Sequence, residues 1–163
     1  MPTSSAGSRS NAGVTLIEMV VVVTVIGLIV AIVAPSMAAG LDSVRMASAT
    51  DSVATFLNGA VNRAERRQQA VAVLISIREN RLLMYTNEPG FTRELNMPQG
   101  IAIEAVMPRD ENGPVDPVRL LLQPGAAIPA VGVQLINTHG NRRIVRLDPT
   151  TGFPRVETPK DAE

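Results

Sequence analysis

Residues Val14 to Ala34 form an apolar run, VTLIEMVVVVTVIGLIVAIVA, broken only by Thr15, Glu18 and Thr24 and stopped by Pro35. As a helix these roughly 21 residues rise about 31 Å at about 1.5 Å per residue, against a hydrocarbon core of about 30 Å. The segment is long enough to span a bilayer. In a chain of 163 residues, the span leaves room for one soluble domain, and two full domains would be a tight fit.

The order of segments around the run is unusual. Met1 to Gly13, MPTSSAGSRSNAG, is small and polar with Arg9 as its single charge, and it cannot join a packed core. A secretory signal peptide carries its small-residue cleavage site after the apolar region. Here the small-residue site, Ala12-Gly13, precedes it, so a cut would leave the apolar segment on the mature chain. Glu18 is the second oddity, because a carboxylate at the edge of hydrocarbon costs on the order of 2 to 3 kcal/mol and calls for a partner. A lone acid snorkelling into headgroups is the competing account. Gly27 and Pro35 are either deliberate points of helix flexibility or residues that membrane helices simply tolerate.

Composition removes several function classes. Lys+Arg 15 balance Asp+Glu 15, so overall charge draws the chain to neither nucleic acid nor an anionic surface. With Cys 0 there is no disulfide framework and no thiolate chemistry. Aromatics at 2% and the absence of Trp argue against stacking platforms and require an aliphatic core. The sole histidine, His139, lies in a turn signal and reads as solvated. No phosphate loop, HExxH or GxSxG occurs, and Arg109-Asp110-Glu111-Asn112 lacks the spacing of a calcium loop. No enzyme activity, cofactor or metal is expected.

Beyond Pro35 the pattern becomes amphipathic. Ala49, Val53, Phe56, Leu57, Ala60 and Ala64 recur on one helical face, with Asp42, Arg45, Ser52, Thr55, Asn62 and Arg66 on the other. A helix from about Val14 to Gln69 follows, its second half laid against a head. Arg63, Arg66 and Arg67 near its end either complement the helix dipole and stay solvated or form a nucleic-acid or lipid patch. Strand-like runs come next at Val71–Ile77, Leu82–Thr86, Ile101–Met107, Val118–Gln123, Val131–Asn137, Arg142–Leu147 and Phe153–Val156, separated by Pro, Gly and Asn breaks. With no helix-length pattern between them, antiparallel meanders and an α+β class are expected.

The string Gly13-Val14-Thr15-Leu16-Ile17-Glu18-Met19 resembles the signal of type IV prepilins and pseudopilins, with Val14 where most members have Phe. The resemblance implies that a prepilin peptidase cuts after Gly13, that Val14 is N-methylated, and that Glu18 pairs with the new amine of a neighbouring subunit to set the stagger of a filament. It also implies a pilin-like fold, with the long N-terminal helix packed on an antiparallel sheet. The expected organisation is leader 1–13, transmembrane and assembly helix 14–35, amphipathic half 36–69, β-rich head 70–158 and tail 159–163.

The segments Leu120–Gly125, Val131–Asn137 and Arg143–Gly152, together with the helix stretch Arg45–Arg67, resemble the GspH/FimT family of minor pseudopilins. That implies a non-enzymatic subunit of a type II secretion-like pseudopilus, anchored once in the inner membrane with its head in the periplasm. Its partners would be the peptidase, other pilins or pseudopilins and an inner-membrane assembly platform. A DNA-binding subgroup of minor type IV pilins ends in Gly-Arg-x-Arg, where this chain has Gly152-Phe153-Pro154-Arg155. DNA uptake or adhesion is therefore the alternative, with Arg142, Arg143, Arg146 and Arg155 as candidate contacts. Period two puts Arg142 and Arg146 on one strand face and Arg143 on the other, splitting that basic patch. An ordinary single-pass protein with an unrelated head is the third possibility.

Overall fold

The computed structural model describes residues 14–108 and 116–159, with residues 34–39 described by backbone alone. The chain divides into two compact units, one ending at Gly40 and one running from Leu41 to Glu163. Helix α1 is assigned over Leu16–Arg67, 52 residues, through both Gly27 and Pro35. Its stretch Leu16–Val33 is apolar and long enough to cross a membrane, and none of it is buried within the protein.

In the second unit eight strands follow: β1 Val71–Ser76, β2 Arg81–Thr86, β3 Thr92–Asn96, β4 Ile101–Met107, β5 Val118–Leu122, β6 Gly132–Asn137, β7 Arg142–Leu147 and β8 Pro154–Glu157. They form two antiparallel four-stranded sheets, ordered β3-β2-β1-β5 and β4-β6-β7-β8. The class is α+β, as the run of strands after a helix implies. The connectivity is not a plain meander, because β4 and β5 exchange sheets: β4 opens the second sheet before β5 closes the first.

One buried cluster holds the unit together. The predicted helix face is fully in it, with Ala49, Val53, Phe56, Leu57, Ala60 and Ala64 buried alongside Met46. Against them pack Val71, Val73, Ile75, Leu82, Met84, Leu120 and Leu122 of the first sheet, and Ile101, Ile103, Val106, Val133, Leu135, Val145 and Leu147 of the second. Each such aliphatic side chain contributes about 1.5 to 3 kcal/mol when removed from water. Phe56 is the single aromatic among these buried residues, consistent with an aliphatic core.

Two polar side chains complete backbone pairing across long sequence separations. Asn80 closes the β1–β2 turn at φ 52°. Its amide nitrogen donates to the Ile101 carbonyl at 2.9 Å, and its amide oxygen accepts from the Ile103 nitrogen at 2.8 Å. The side chain thus stands in for a strand neighbour along the edge strand β4 and ties the two sheets together. Asp116, whose side chain is 8% exposed, accepts from the Ile77 nitrogen at 2.8 Å and the Arg78 nitrogen at 3.2 Å. It satisfies donors at the end of β1 that no strand reaches.

Candidate functional site

The N-terminal candidate begins at Val14, which is exposed; Gly13 lies outside the described residues. Thr15 caps α1. Its hydroxyl oxygen accepts from the Glu18 nitrogen at 3.3 Å and its carbonyl accepts from the Met19 nitrogen at 3.2 Å, as expected of a Thr three residues ahead of Glu at a helix start. That Thr-x-x-Glu spacing is a local signal that a reading focused on the apolar run passes over. Glu18 then stands in the first turn, where the helix dipole favours a negative charge. Among the described residues its carboxylate has no hydrogen bond or ion pair. Leu16, Ile17, Met19 and the valines beyond them are exposed.

The arginine candidates lie on the second sheet. Arg142, Ile144 and Arg146 share one face of β7, Ile144 being buried there, and the register Arg146↔Arg155 brings Arg155 to the same face. Val145 and Leu147 face the core, so Arg143 points the other way, where its guanidinium reaches the Thr158 hydroxyl at 2.6 Å. Three arginines therefore share one face, and each meets a carboxylate. Arg142 is held by Glu104 through Nε at 2.7 Å and Nη2 at 2.8 Å. Gln134, buried beneath, donates to the same carboxylate at 2.6 Å. Arg146 lies 3.3 Å from Glu157 and Arg155 lies 2.9 Å from Asp148. The positive charge of the face is matched locally, residue by residue.

Asp148 also shapes the β7–β8 turn. Its carboxylate accepts from the Thr150 nitrogen at 2.8 Å and the Thr151 nitrogen at 3.2 Å, and its carbonyl accepts from the Gly152 nitrogen at 2.8 Å. The two backbone donors, first Thr150 and then Thr151, with a smaller contribution from Arg155, hold its carboxyl below the ordinary value of 3.8. A depressed folded-state value means that this turn is fully supported above the unfolded carboxyl's pKa and loses support as pH falls through the folded one. In an acid titration the Thr150 and Thr151 amide resonances should move with a shared midpoint below that of an unstructured Asp, near 3.9. Asp148→Asn should abolish that titration.

His139 lies in an exposed turn, as its sequence context implies, and its Nδ1 lies 2.7 Å from an Asp42 oxygen. Asn137 organises that turn by accepting from the His139 and Asn141 nitrogens at 3.0 and 2.8 Å. Arg63 lies 3.3 Å above the Phe91 ring and 2.6 Å from Glu88, while Arg66 and Arg67 occupy the last turn of α1. Residues Arg109 to Asn112 lie outside the described residues. Among those described, no group of three or more His, Asp or Glu side chains is placed to hold a metal ion.

Residues 8–34 match the model of the prokaryotic N-terminal methylation motif. The fold is similar to that of the minor pseudopilin EpsH from the Type 2 Secretion System of Vibrio cholerae, with a TM-score of 0.51 at 14% identity, covering 69% of this chain and 95% of that one. No curated protein matches the chain.

Proposed function

We propose that this chain, type IV pilin-like in its fold and in its N-terminal methylation motif, is a non-catalytic minor pseudopilin of a type II secretion-like pseudopilus. The observation that carries the proposal is the coincidence of two independent features. A methylation motif covers residues 8–34, and a head with a pseudopilin fold follows it. In this reading a prepilin peptidase cuts after Gly13, Val14 becomes the methylated N-terminus, and the segment 14–35 anchors the chain in the inner membrane with its head in the periplasm. There an assembly platform feeds it into a filament of pilin-like subunits.

The state of Glu18 supports this account. The cap on the first turn uses its backbone nitrogen and leaves its carboxylate without a partner among the described residues. Removal of residues 1–13 would create an amine at Val14, four residues before Glu18, and in this reading the Glu18 carboxylate pairs with that amine in a neighbouring subunit. The test is mass spectrometry of the protein extracted from membranes. The expected N-terminus is Val14 carrying one methyl group, and an intact Met1 leader in cells with an active peptidase overturns the proposal.

The alternative of a DNA-binding minor pilin is weakened by the carboxylates that accompany Arg142, Arg146 and Arg155. Phosphate contacts gain from releasing condensed counterions, and each of these arginines would have to leave an existing carboxylate to make one. In a titration with duplex DNA at low salt the chain is expected to bind no better than a variant carrying Arg142→Ala, Arg146→Ala and Arg155→Ala. Binding that falls steeply with salt and is lost in that variant would instead establish the DNA reading.

A further inference from the structure

The first sheet has an outer face that the core does not use. Along β1, β2 and β5 the residues between the core-facing positions are Ala72, Leu74, Leu83, Tyr85 and Leu121, none of them in the buried cluster. Leu121 is 46% exposed, Leu74, Leu83 and Tyr85 are half-buried, and Ala72 is buried beneath them. Strand pairing sets these residues in two rows across the sheet in the order β3, β2, β1, β5. One row reads Glu94, Leu83, Leu74, Arg119, and the other reads Thr92, Tyr85, Ala72, Leu121.

The first row is complementary to its own reverse. We propose that this face is a contact between two copies of the chain, related by a twofold axis parallel to the strands and lying between β1 and β2. Rotation about that axis reverses the order of the strands and keeps each row opposite itself. Glu94 then faces Arg119 of the second copy, Leu83 faces Leu74, the large Tyr85 faces the small Ala72 and Thr92 faces Leu121, with every contact made twice as an isologous interface requires. An axis across the strands would instead set each column on its own, with Glu94 on the β3 column of the second copy and Arg119 on its β5 column. The charges at the two edges select the first arrangement, and the apolar centre supplies the buried area.

The charges are available for it. Arg119 is exposed and makes no ion pair among the described residues. Glu94 is bound by Arg81 at 2.9 Å, but Arg81 also holds Glu79 at 2.6 Å, so a turn of Glu94 towards a second copy leaves Arg81 paired. Two sheets packed face to face lie about 10 Å apart with strands within about 30° of one another, a gap that opposed Glu and Arg side chains can close. The contact does not depend on the filament reading.

The chain has no cysteine, so Leu74→Cys places a unique thiol beside the proposed axis. In the detergent-solubilised full chain, a short bifunctional thiol reagent should join two such copies. Adding Arg119→Glu, or Glu94→Arg, opposes like charges at both edges and should lower the yield by about tenfold or more. An equal mixture of those two variants should recover it, because each then offers what the other lacks. Association through the apolar helix would not follow that pattern. Copies without the cysteine but with two different tags should co-purify in the same charge-dependent order. No cross-linking and no co-purification, or equal yields for the single variants and their mixture, overturns the proposal.

Discussion

Glu18→Val should leave the chain membrane-bound and cut after Gly13, yet reduce its entry into filaments by at least about thirtyfold. Hydrophobic insertion alone argues the opposite, since the substitution removes a charge that costs on the order of 2 to 3 kcal/mol at the membrane. On the proposed assembly reading, what is lost is the partner of an amine in a neighbouring subunit. Truncating one member of a buried charge pair costs about 2 to 5 kcal/mol, because the other charge is left unsatisfied, and each 1.4 kcal/mol is about tenfold. The substitution does not disturb the start of the helix, because the Thr15 cap is made with the Glu18 backbone nitrogen. Glu18→Asp keeps the charge on a shorter side chain and should fall between the two. The measurement is the share of the chain in sheared filaments against that left in membranes, with processing checked by mass. If Glu18→Val enters filaments within about twofold of the unmodified chain, Glu18 is a lone interfacial acid and the assembly role is withdrawn.

The second large effect is one of stability. Gly152 closes the β7–β8 turn at φ 71°, and a Cβ there would stand 2.6 Å from the Ile128 Cδ1 and 3.3 Å from the Val61 Cγ1. Gly152→Ala therefore meets two costs. The left-handed backbone disfavours any Cβ by about 1 to 2 kcal/mol, and overpacking adds about 1 to 3 kcal/mol. The end of the Ile128 side chain can give way in part, so a total of about 2 to 4 kcal/mol is expected, or a melting temperature lower by roughly 8 to 15 °C. Ile128→Ala in the same chain should recover the overlap but not the backbone cost, leaving the double variant less stable than Ile128→Ala alone by about 1 to 2 kcal/mol. If the double variant matches Ile128→Ala, the turn does not require glycine at this position.

Most of the architecture was legible because it is written in short-range periodicity. The face of α1 that carries Val53, Leu57, Ala60 and Ala64 follows the helical repeat, and seven of the eight strands fall on short runs bounded by turn residues, most of them aliphatic. β3 was missed because Thr92–Asn96 has only Leu95 as an apolar residue, so its strand character comes from pairing with β2. The exchange of β4 and β5 between sheets was equally hidden, as no local pattern records which non-adjacent strand a run will join. Asp116 gave no sign of its role, since its donors lie 38 and 39 residues away. At the site, the split of Arg142 and Arg146 from Arg143 followed from alternation. The carboxylates that match the arginines come from β4, β8 and a turn, and only the folded sheet brings them there. Glu18 is the opposite case: its misfit is plain in sequence, and among the described residues its carboxylate has no partner.

The crossing of β4 and β5 also orders events in time. As the chain emerges from synthesis, β1, β2 and β3 can pair as soon as residue 96 is free, but that sheet lacks its fourth strand until residue 122 has followed. The other sheet has only β4 until the residues of β6 arrive, and it is complete only at residue 157. Throughout that interval the apolar face of α1 is already made and has half its cover missing. Closing contacts of such sequence separation is intrinsically slow, so the second sheet is expected to be the last part of the head to form. A chain truncated before β8 would present to the cell a helix still waiting for the last sheet to form over it.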